Sequence, residues 1–238
     1  DQGIERAIVL DDGGRCIASV PNDILAATTV VGVEQTTAGR TVLKQRLVVP
    51  VVMVATSGVK RFVEAPAIAH RVSEVLSSRL GDLRAMRIGV IGLGAIGSAM
   101  LDELSARGVD TRGYDREPPK LQDRRRCTTL AELVDWSSTL LGCTGNDVFW
   151  ATEKSRFAGK TLVSCSSEDL EFGSLLPPNL PSSERLQDID LPGVPGARIL
   201  RGGFPIKFDG SRESVPGKEI QVLRALLLCG VLQALACN

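Results

Sequence analysis

Short apolar runs alternate with longer helically periodic stretches along the whole chain. Residues 6–10, 29–34 and 48–55 read as strands, and the last is too apolar to alternate, so it is expected to be buried on both faces. Glu64-Ala65-Pro66 opens a helix with the proline in its first turn. Ile68, Val72, Val75 and Leu76 share one face of that helix, and Gly81 ends it. Residues 87–91 and 109–113 give two further strands, separated by a glycine-rich turn and a helix running to Arg107. Pro118-Pro119 marks a loop, and Thr129-x-x-Glu132 reads as a capping box for a short helix to Trp136. Residues 138–141, 161–165 and 198–201 read as strands, and the proline-rich stretch 177–196 as an irregular connection. A closing helix over 218–237 places Ile220, Leu223, Leu227, Val231 and Leu235 on one face. Leu226, Leu228 and Leu232 widen its apolar surface, which predicts burial in the core or against a second subunit.

Strands alternating with helices predict an α/β fold: a Rossmann-type doubly wound parallel sheet plus a smaller α/β domain. The expected division is 1–84 for the smaller domain, 85–215 for the Rossmann domain, and 216–238 for a helix packing back on the first domain or on a partner.

Charge and cysteine content narrow the function classes. Lys and Arg balance Asp and Glu at 28 each, so no general attraction to nucleic acid or membrane is expected. The longest basic run, Arg124-Arg125-Arg126, reads as a solvated loop. The six cysteines contain no C-x-x-C pair and sit mostly in apolar patterns, which suits reduced, mostly buried thiols in a cytoplasmic protein. A single histidine, His70, excludes a zinc site or a Ser-His-Asp triad, so no metal is expected. No apolar run reaches the roughly 18 residues that a membrane span needs. The chain begins at Asp1 rather than at methionine, which leaves room for residues upstream.

The chemistry concentrates in the glycine-rich turn. Gly92, Gly94 and Gly97 match G-x-G-x-x-G directly after a strand and at the start of a helix. In that pattern Gly92 makes the tight turn, Gly94 admits a pyrophosphate, and Gly97 lets the helix pack closely. The N-terminal turn, with Ala95 and Ile96, faces the phosphate charge. Asp115 lies near the end of the strand over 109–113, where a carboxylate accepts from the ribose 2′-hydroxyl and repels a 2′-phosphate. NAD is therefore favoured, and the neighbouring Arg116 tempers the preference. Further polar clusters fall at strand ends: Asp11-Asp12, the stretch 34–37, Cys143-Thr144-Gly145-Asn146, and the stretch 164–168. Taken singly they read as capping and turn residues; together they read as the lining of a pocket for a small-molecule substrate.

Read together, these motifs resemble the S-adenosylhomocysteine hydrolases (adenosylhomocysteinases). The residues carrying the resemblance are Leu10-Asp11-Asp12-Gly13-Gly14, Glu34-Gln35-Thr36-Thr37-Ala38-Gly39, Lys60 with Glu64, the glycine-rich turn, and Gly142-Cys143-Thr144-Gly145. The resemblance implies a bound NAD used for hydride transfer, with Lys60 moving a proton and Glu64 and Asp12 assisting. It further implies that Thr36, Thr37, Cys143, Thr144 and Gly145 line the cofactor. Against that family's pattern, Gln35 replaces an acid, Glu64-Ala65 replaces an Asp-Asn pair, Ser167 replaces a histidine, and Lys207 falls near an asparagine. Part of the family's substrate domain is also missing.

The leading expectation is an NAD-dependent enzyme acting on a hydroxyl of a small, possibly nucleoside-like substrate rather than on adenosylhomocysteine. The alternative is a catalytically silent NAD-binding sensor. A 2-hydroxyacid dehydrogenase shares the sequence Gly-Leu-Gly-Ala-Ile-Gly. That reading ranks third, because such enzymes rely on a His/Glu relay with an arginine, which His70 does not suit. A homodimer is expected through the apolar closing helix.

Overall fold

In the computed structural model, residues 4–117, 125–149, 151–166, 170–178, 180–181, 186–208, 210 and 217–237 are described. The expectations for Pro118-Pro119, Arg124 and residues 167–169 lie outside these. The chain forms two units, residues 1–64 with 216–238 and residues 65–215. The division thus falls at Glu64/Ala65 rather than after residue 84, and the closing helix joins the first unit.

The first unit is a three-stranded parallel sheet in the order β1 (Arg6–Asp11), β2 (Thr29–Glu34), β3 (Val51–Met53). Helices α1 (Arg15–Ala18), α2 (Asn22–Ala27) and α3 (Thr37–Gln45) connect the strands. β2 lies at the centre and buries Val30, Val31 and Val33. β3 departs from expectation. It covers three residues before a 3-10 turn at Val54–Thr56, and its residues are only half-buried. It is an edge strand, so one side has no neighbouring strand to cover it.

Residues ahead of Pro66 are also helical: Lys60–Glu64 forms a π turn followed by α4 (Ala65–Leu80), so the proline sits inside a helical run. A proline lacks the N–H for the preceding turn, and its ring presses on the carbonyl four residues back. The wider π turn relieves that crowding. Gly81, at φ 85°, then ends α4 as expected, its N–H bonding to the Ser77 carbonyl.

The second unit continues with β4 (Arg87–Ile91), α5 (Ala95–Ala106), β5 (Asp110–Tyr114), α6 (Leu130–Trp136), β6 (Thr139–Gly142), β7 (Thr161–Ser164), β8 (Ile189–Asp190) and β9 (Arg198–Ile199). The sheet order is β5-β4-β6-β7-β9-β8, parallel except where β8 meets β9. β8 lies within the proline-rich stretch expected to be irregular. A single parallel bridge, Gly113 to Arg126, extends the sheet beyond β5. This is a Rossmann-like α/β fold. One sheet face packs on α4 and α5 through Val72, Leu76, Ile88, Val90, Met100 and Leu104. The other is built on Leu140, Leu162 and the ring cluster Phe149, Phe157 and Phe172. Both faces are covered, which is why β4, β6 and β7 read as continuous apolar runs. Thr129 caps α6, its Oγ1 accepting from Glu132 N at 3.1 Å, while Glu132 reaches back to Thr128.

Helix α7 (Gly217–Ala236) returns to the first unit and packs on its sheet. Its contact face is set by its smallest residues. A Cβ on Gly230 would stand 2.8 Å from Val54 Cγ2, and Ala234 is buried beside Val31, Val33 and Val54. Close approach through glycine and alanine rotates the larger side chains outward. Leu228, Leu232 and Leu235 are therefore exposed, and Leu235 is not on the packed face as the periodicity suggested. The cysteines also depart from expectation. All six are free, but only Cys127 and Cys165 are buried, while Cys16 and Cys229 are exposed.

Candidate dinucleotide site

In the second unit the chain leaves β4 for β5 on one side and returns to β6 on the other. The order therefore reverses between β4 and β6, and in open α/β sheets ligands lie outside the carboxyl ends of strands at such a point. The loops bounding this crevice are Gly92-Leu93-Gly94 after β4 and Cys143-Thr144-Gly145 after β6.

Each glycine of the first loop has a distinct steric role. Gly92 sits at φ 87°, and its N–H donates to the Tyr114 carbonyl at 2.8 Å. A Cβ there would lie 2.8 Å from Thr144 Cγ2, so the two loops touch. A Cβ on Gly97 would fall on the Gly92 carbonyl oxygen, which is why α5 starts so close to the strand. A Cβ on Gly94 would meet nothing within 4 Å. That open space adjoins the N-terminus of α5, where no side chain caps the first turn around Ala95 and Ile96. First-turn N–H groups without a side-chain cap, beside an unobstructed backbone, form an anion cradle, and the residues fit a pyrophosphate.

Asp115 closes the mouth of the loop. Its Oδ2 accepts from Leu93 N at 2.6 Å and its Oδ1 from Glu117 N at 2.9 Å. The carboxylate is thus held beside the glycine loop. Arg116 is exposed.

The second loop rests on an acid that periodicity gave no reason to single out. Glu171 is fully buried; its Oε1 accepts from Gly145 N at 2.6 Å, and its Oε2 lies 3.0 Å from Thr144 Oγ1. Thr144 Oγ1 also lies 2.8 Å from the Asn146 carbonyl and accepts from Asn146 N. One hydroxyl proton cannot serve two acceptors. A protonated Glu171 resolves this by donating to Thr144, whose proton then goes to Asn146. Burial pushes the Glu171 carboxyl upward, while the hydrogen bonds it would accept as a carboxylate from Gly145, Thr144 and Ser166 pull it down. The Cys143 thiol is raised well above its usual value by a hydrogen bond with Cys165 and by burial.

In the first unit, the polar residues at the strand ends mostly bind one another. Asp11 Oδ2 accepts from Ile17 N at 2.8 Å. Glu34 is buried, and its Oε1 accepts from Thr36 N, Thr36 Oγ1 and Gly13 N. Thr36 in turn caps α3 by accepting from Gly39 N at 3.0 Å. Asp12 accepts from Gln35 Nε2 at 3.0 Å, and Thr37 is exposed. Lys60 and Glu64 form the expected i,i+4 pair at 2.9 Å, with side chains only 14% and 21% exposed. His70 is 55% exposed and bonds Glu103 at 3.0 Å and Arg107. Those partners lie at the end of α5 opposite the glycine loop.

Residues 52–144 match the family described as D-isomer specific 2-hydroxyacid dehydrogenase, NAD binding domain. The chain is 31% identical over 240 residues to uncharacterized proteins of two Mycobacterium tuberculosis strains, CDC 1551 / Oshkosh and H37Rv. The alignment covers 96% of this chain and 46% of each relative, so the chain spans about half the length of the curated relatives it matches. Among solved structures, a dehydrogenase from Rhizobium meliloti aligns with a TM-score of 0.56 at 17% identity, covering 98% of this chain and 83% of that one. An NADPH-dependent glyoxylate/hydroxypyruvate reductase from Sinorhizobium meliloti, in complex with NADP and malonate, aligns at 0.50 and 15%, covering 83% and 73%. At those identities the likeness is one of fold.

These matches overturn the resemblance to adenosylhomocysteinase, and with it the idea of a substrate domain truncated from that family. The glycine loop is common to many dinucleotide folds. The Asp-Asp-Gly-Gly and Glu-Gln-Thr-Thr stretches are largely tied up with each other through Glu34, which accounts for their composition without a nucleoside. The cofactor expectation stands on firmer ground: the matched domain type and the loop geometry both support a nicotinamide dinucleotide.

Proposed function

We propose that this chain carries the dinucleotide site of a dehydrogenase that transfers hydride between a nicotinamide cofactor and a small hydroxy acid. The observation carrying this reading is the open position at Gly94, set between the left-handed turn at Gly92 and the uncapped start of α5, at the switch point of a domain matching a dehydrogenase family. When bound, the cofactor supplies the hydride acceptor or donor. The chain's part is to hold the pyrophosphate on the first turn of α5, the ribose on Asp115, and the loop after β6 on Glu171. NAD is the favoured form, because the Asp115 carboxylate would repel a 2′-phosphate.

The first test is to denature the purified protein, identify any nucleotide released, titrate NADH and NADPH by fluorescence, and assay oxidation of NADH with glyoxylate, hydroxypyruvate and other 2-oxo acids. Binding of neither nucleotide would refute the reading.

The position of His70 favours a second reading, a silent dinucleotide-binding regulator. The sole imidazole lies at the far end of α5, held by Glu103 and Arg107, and not at the switch point. That reading predicts tight NADH binding with no hydride exchange. The exposed Leu228, Leu232 and Leu235 of α7 support the expected dimer, which light scattering on dilution would refute by showing a monomer. No helix among the described residues is long and apolar enough to cross a membrane. A cytoplasmic location rests on the free thiols, and fractionation tests it.

A further inference from the structure

The loop after β6 is fastened from beneath by a single acid whose protonation state the loop can feel. Glu171 is fully buried, and no cation among the described residues pairs with it. Its carboxyl packs against the last residue of β6, where a Cβ on Gly142 would stand 2.7 Å from Oε2 and 2.9 Å from Cδ. The groups bonded to it are neutral: Gly145 N at 2.6 Å, Thr144 Oγ1 at 3.0 Å and the Ser166 hydroxyl. Ser166 Oγ in turn lies 3.3 Å from Ser164 Oγ at the end of β7. The titratable and charged groups nearby are the Cys143 and Cys165 thiols, just beyond β6 and β7, and Lys207, whose charge acts on Cys143. Asp147, further along the same loop, accepts from Phe149 N and from the N–H and hydroxyl of Ser174.

A buried charge without a counter-ion is costly, so this setting favours the neutral acid. The hydroxyl count points the same way. Thr144 Oγ1 lies 2.8 Å from the Asn146 carbonyl and 3.0 Å from Glu171 Oε2, with one proton for two acceptors. A neutral Glu171 supplies the second proton. An ionised Glu171 takes the Thr144 proton and leaves the Asn146 carbonyl without it. The consequence reaches the glycine loop, because a Cβ on Gly92 would strike Thr144 Cγ2 at 2.8 Å and the Cys143 carbonyl at 3.0 Å. The loop after β6 is thus a wall against the Gly92 turn, and the Thr144 hydroxyl helps to set where that wall stands.

We propose that Glu171 positions the loop after β6 for the dinucleotide only while neutral, so that the cofactor binds with Glu171 protonated and is released as it ionises. This rests on the dinucleotide site described above and adds proton-linked control of it. Two effects act in the same direction. Ionisation redirects the Thr144 hydroxyl beside the Gly92 turn, and it sets a negative charge beneath a crevice whose ligand carries a pyrophosphate. The sign follows from linkage: a ligand that prefers the protonated form binds best below the Glu171 value, and its affinity falls about tenfold for each pH unit above it. Burial pushes that value upward, which carries the change toward the neutral range.

ADP-ribose carries the pyrophosphate and ribose without a redox centre, and it is titrated calorimetrically into the full chain from about pH 5 to 9. The parent should bind it about tenfold or more weakly at the alkaline end. Glu171→Gln fixes the donor and acceptor of the neutral acid in one charge state, so it should keep the parent's acid-end affinity throughout. If that variant fails to fold, Thr144→Val takes its place; it keeps the methyl group against Gly92, removes the hydroxyl link, and should flatten the decline. Without ligand, the infrared difference between parent and Glu171→Gln should show a protonated carboxyl at the acid end that vanishes as pH rises. A pH-independent parent affinity, parallel declines in parent and Glu171→Gln, or loss of acid-end binding in Glu171→Gln overturns the proposal and leaves the dinucleotide site standing. No ADP-ribose binding at any pH, with the carboxyl band present and titrating, would instead refute the dinucleotide reading and this control with it, leaving only the protonated acid.

Discussion

Gly94→Ala separates the fold from the cofactor. The added methyl group would enter space with no heavy atom within 4 Å, and Gly94 sits at φ −67° and ψ −159°, at the margin of the extended region open to alanine. The protein itself therefore loses nothing in contacts. A glycine-to-alanine change at a compatible position stabilises by about 0.4–1 kcal/mol, because the unfolded chain has fewer states to lose. The melting temperature should accordingly hold or rise slightly. Binding should behave in the opposite way. If a pyrophosphate approaches the backbone at Gly94, the methyl group displaces it from the first-turn N–H groups of α5. Each charged hydrogen bond lost there is worth about 1.5–3 kcal/mol, so two of them correspond to roughly a 10²- to 10⁴-fold loss of affinity. Differential scanning fluorimetry and NADH titration on the same preparation measure both effects. Unchanged NADH affinity would show that the phosphates do not lie on Gly94. A drop in melting temperature would show that the space is not open.

Gly97→Ala should fail differently, lowering stability as well as binding, because its Cβ would fall on the Gly92 carbonyl and force α5 away from β4; a melting temperature equal to the parent's would contradict this. Gly39→Ala should destabilise the first unit by about 1–3 kcal/mol as overpacking, since its Cβ would collide with the buried Glu34 carboxyl, and urea melts of the variant measure the cost. Glu171→Gln should be tolerated, because an amide can accept from Gly145 and donate to Thr144 as a protonated acid does. The Glu171 carboxyl is raised in the folded state relative to the ordinary 4.5, so its contribution to stability is complete below that value and is lost as pH rises through the folded-state value. The variant should remove this decline, and a parent and variant whose melting temperatures fall in parallel above pH 4.5 would refute the protonation argument.

The Rossmann-like sheet, the glycine loop and the acid after β5 were legible in the sequence because each is a local consequence of residue type. Continuous apolar runs bounded by glycine make strands buried on both faces. Only glycine adopts the Gly92 turn without strain, and only a residue lacking Cβ fits at Gly97. Short-range pattern was a poorer guide wherever the outcome depended on which neighbour an element meets. Periodicity points to the wrong face of α7 because Gly230 and Ala234, the residues of least hydrophobic bulk, allow the closest approach to the sheet. The resemblance to adenosylhomocysteinase misleads because Asp-Asp-Gly-Gly and Glu-Gln-Thr-Thr suggest a ligand when read singly, while the fold turns them toward each other through Glu34. Glu171 carried no periodic or motif signal, and Lys207 stood out only as falling near an asparagine of the adenosylhomocysteinase pattern. Glu171 reaches the loop after β6 by a long-range hydrogen bond, and Lys207 reaches the sheet edge because Ile206 pairs with the end of β7. The sequence by itself determined the local backbone geometry of the cofactor loop, since sterics act over a few residues. Only the tertiary structure decided which buried charges stand beside that loop, because burial and electrostatics depend on distance in space and not along the chain.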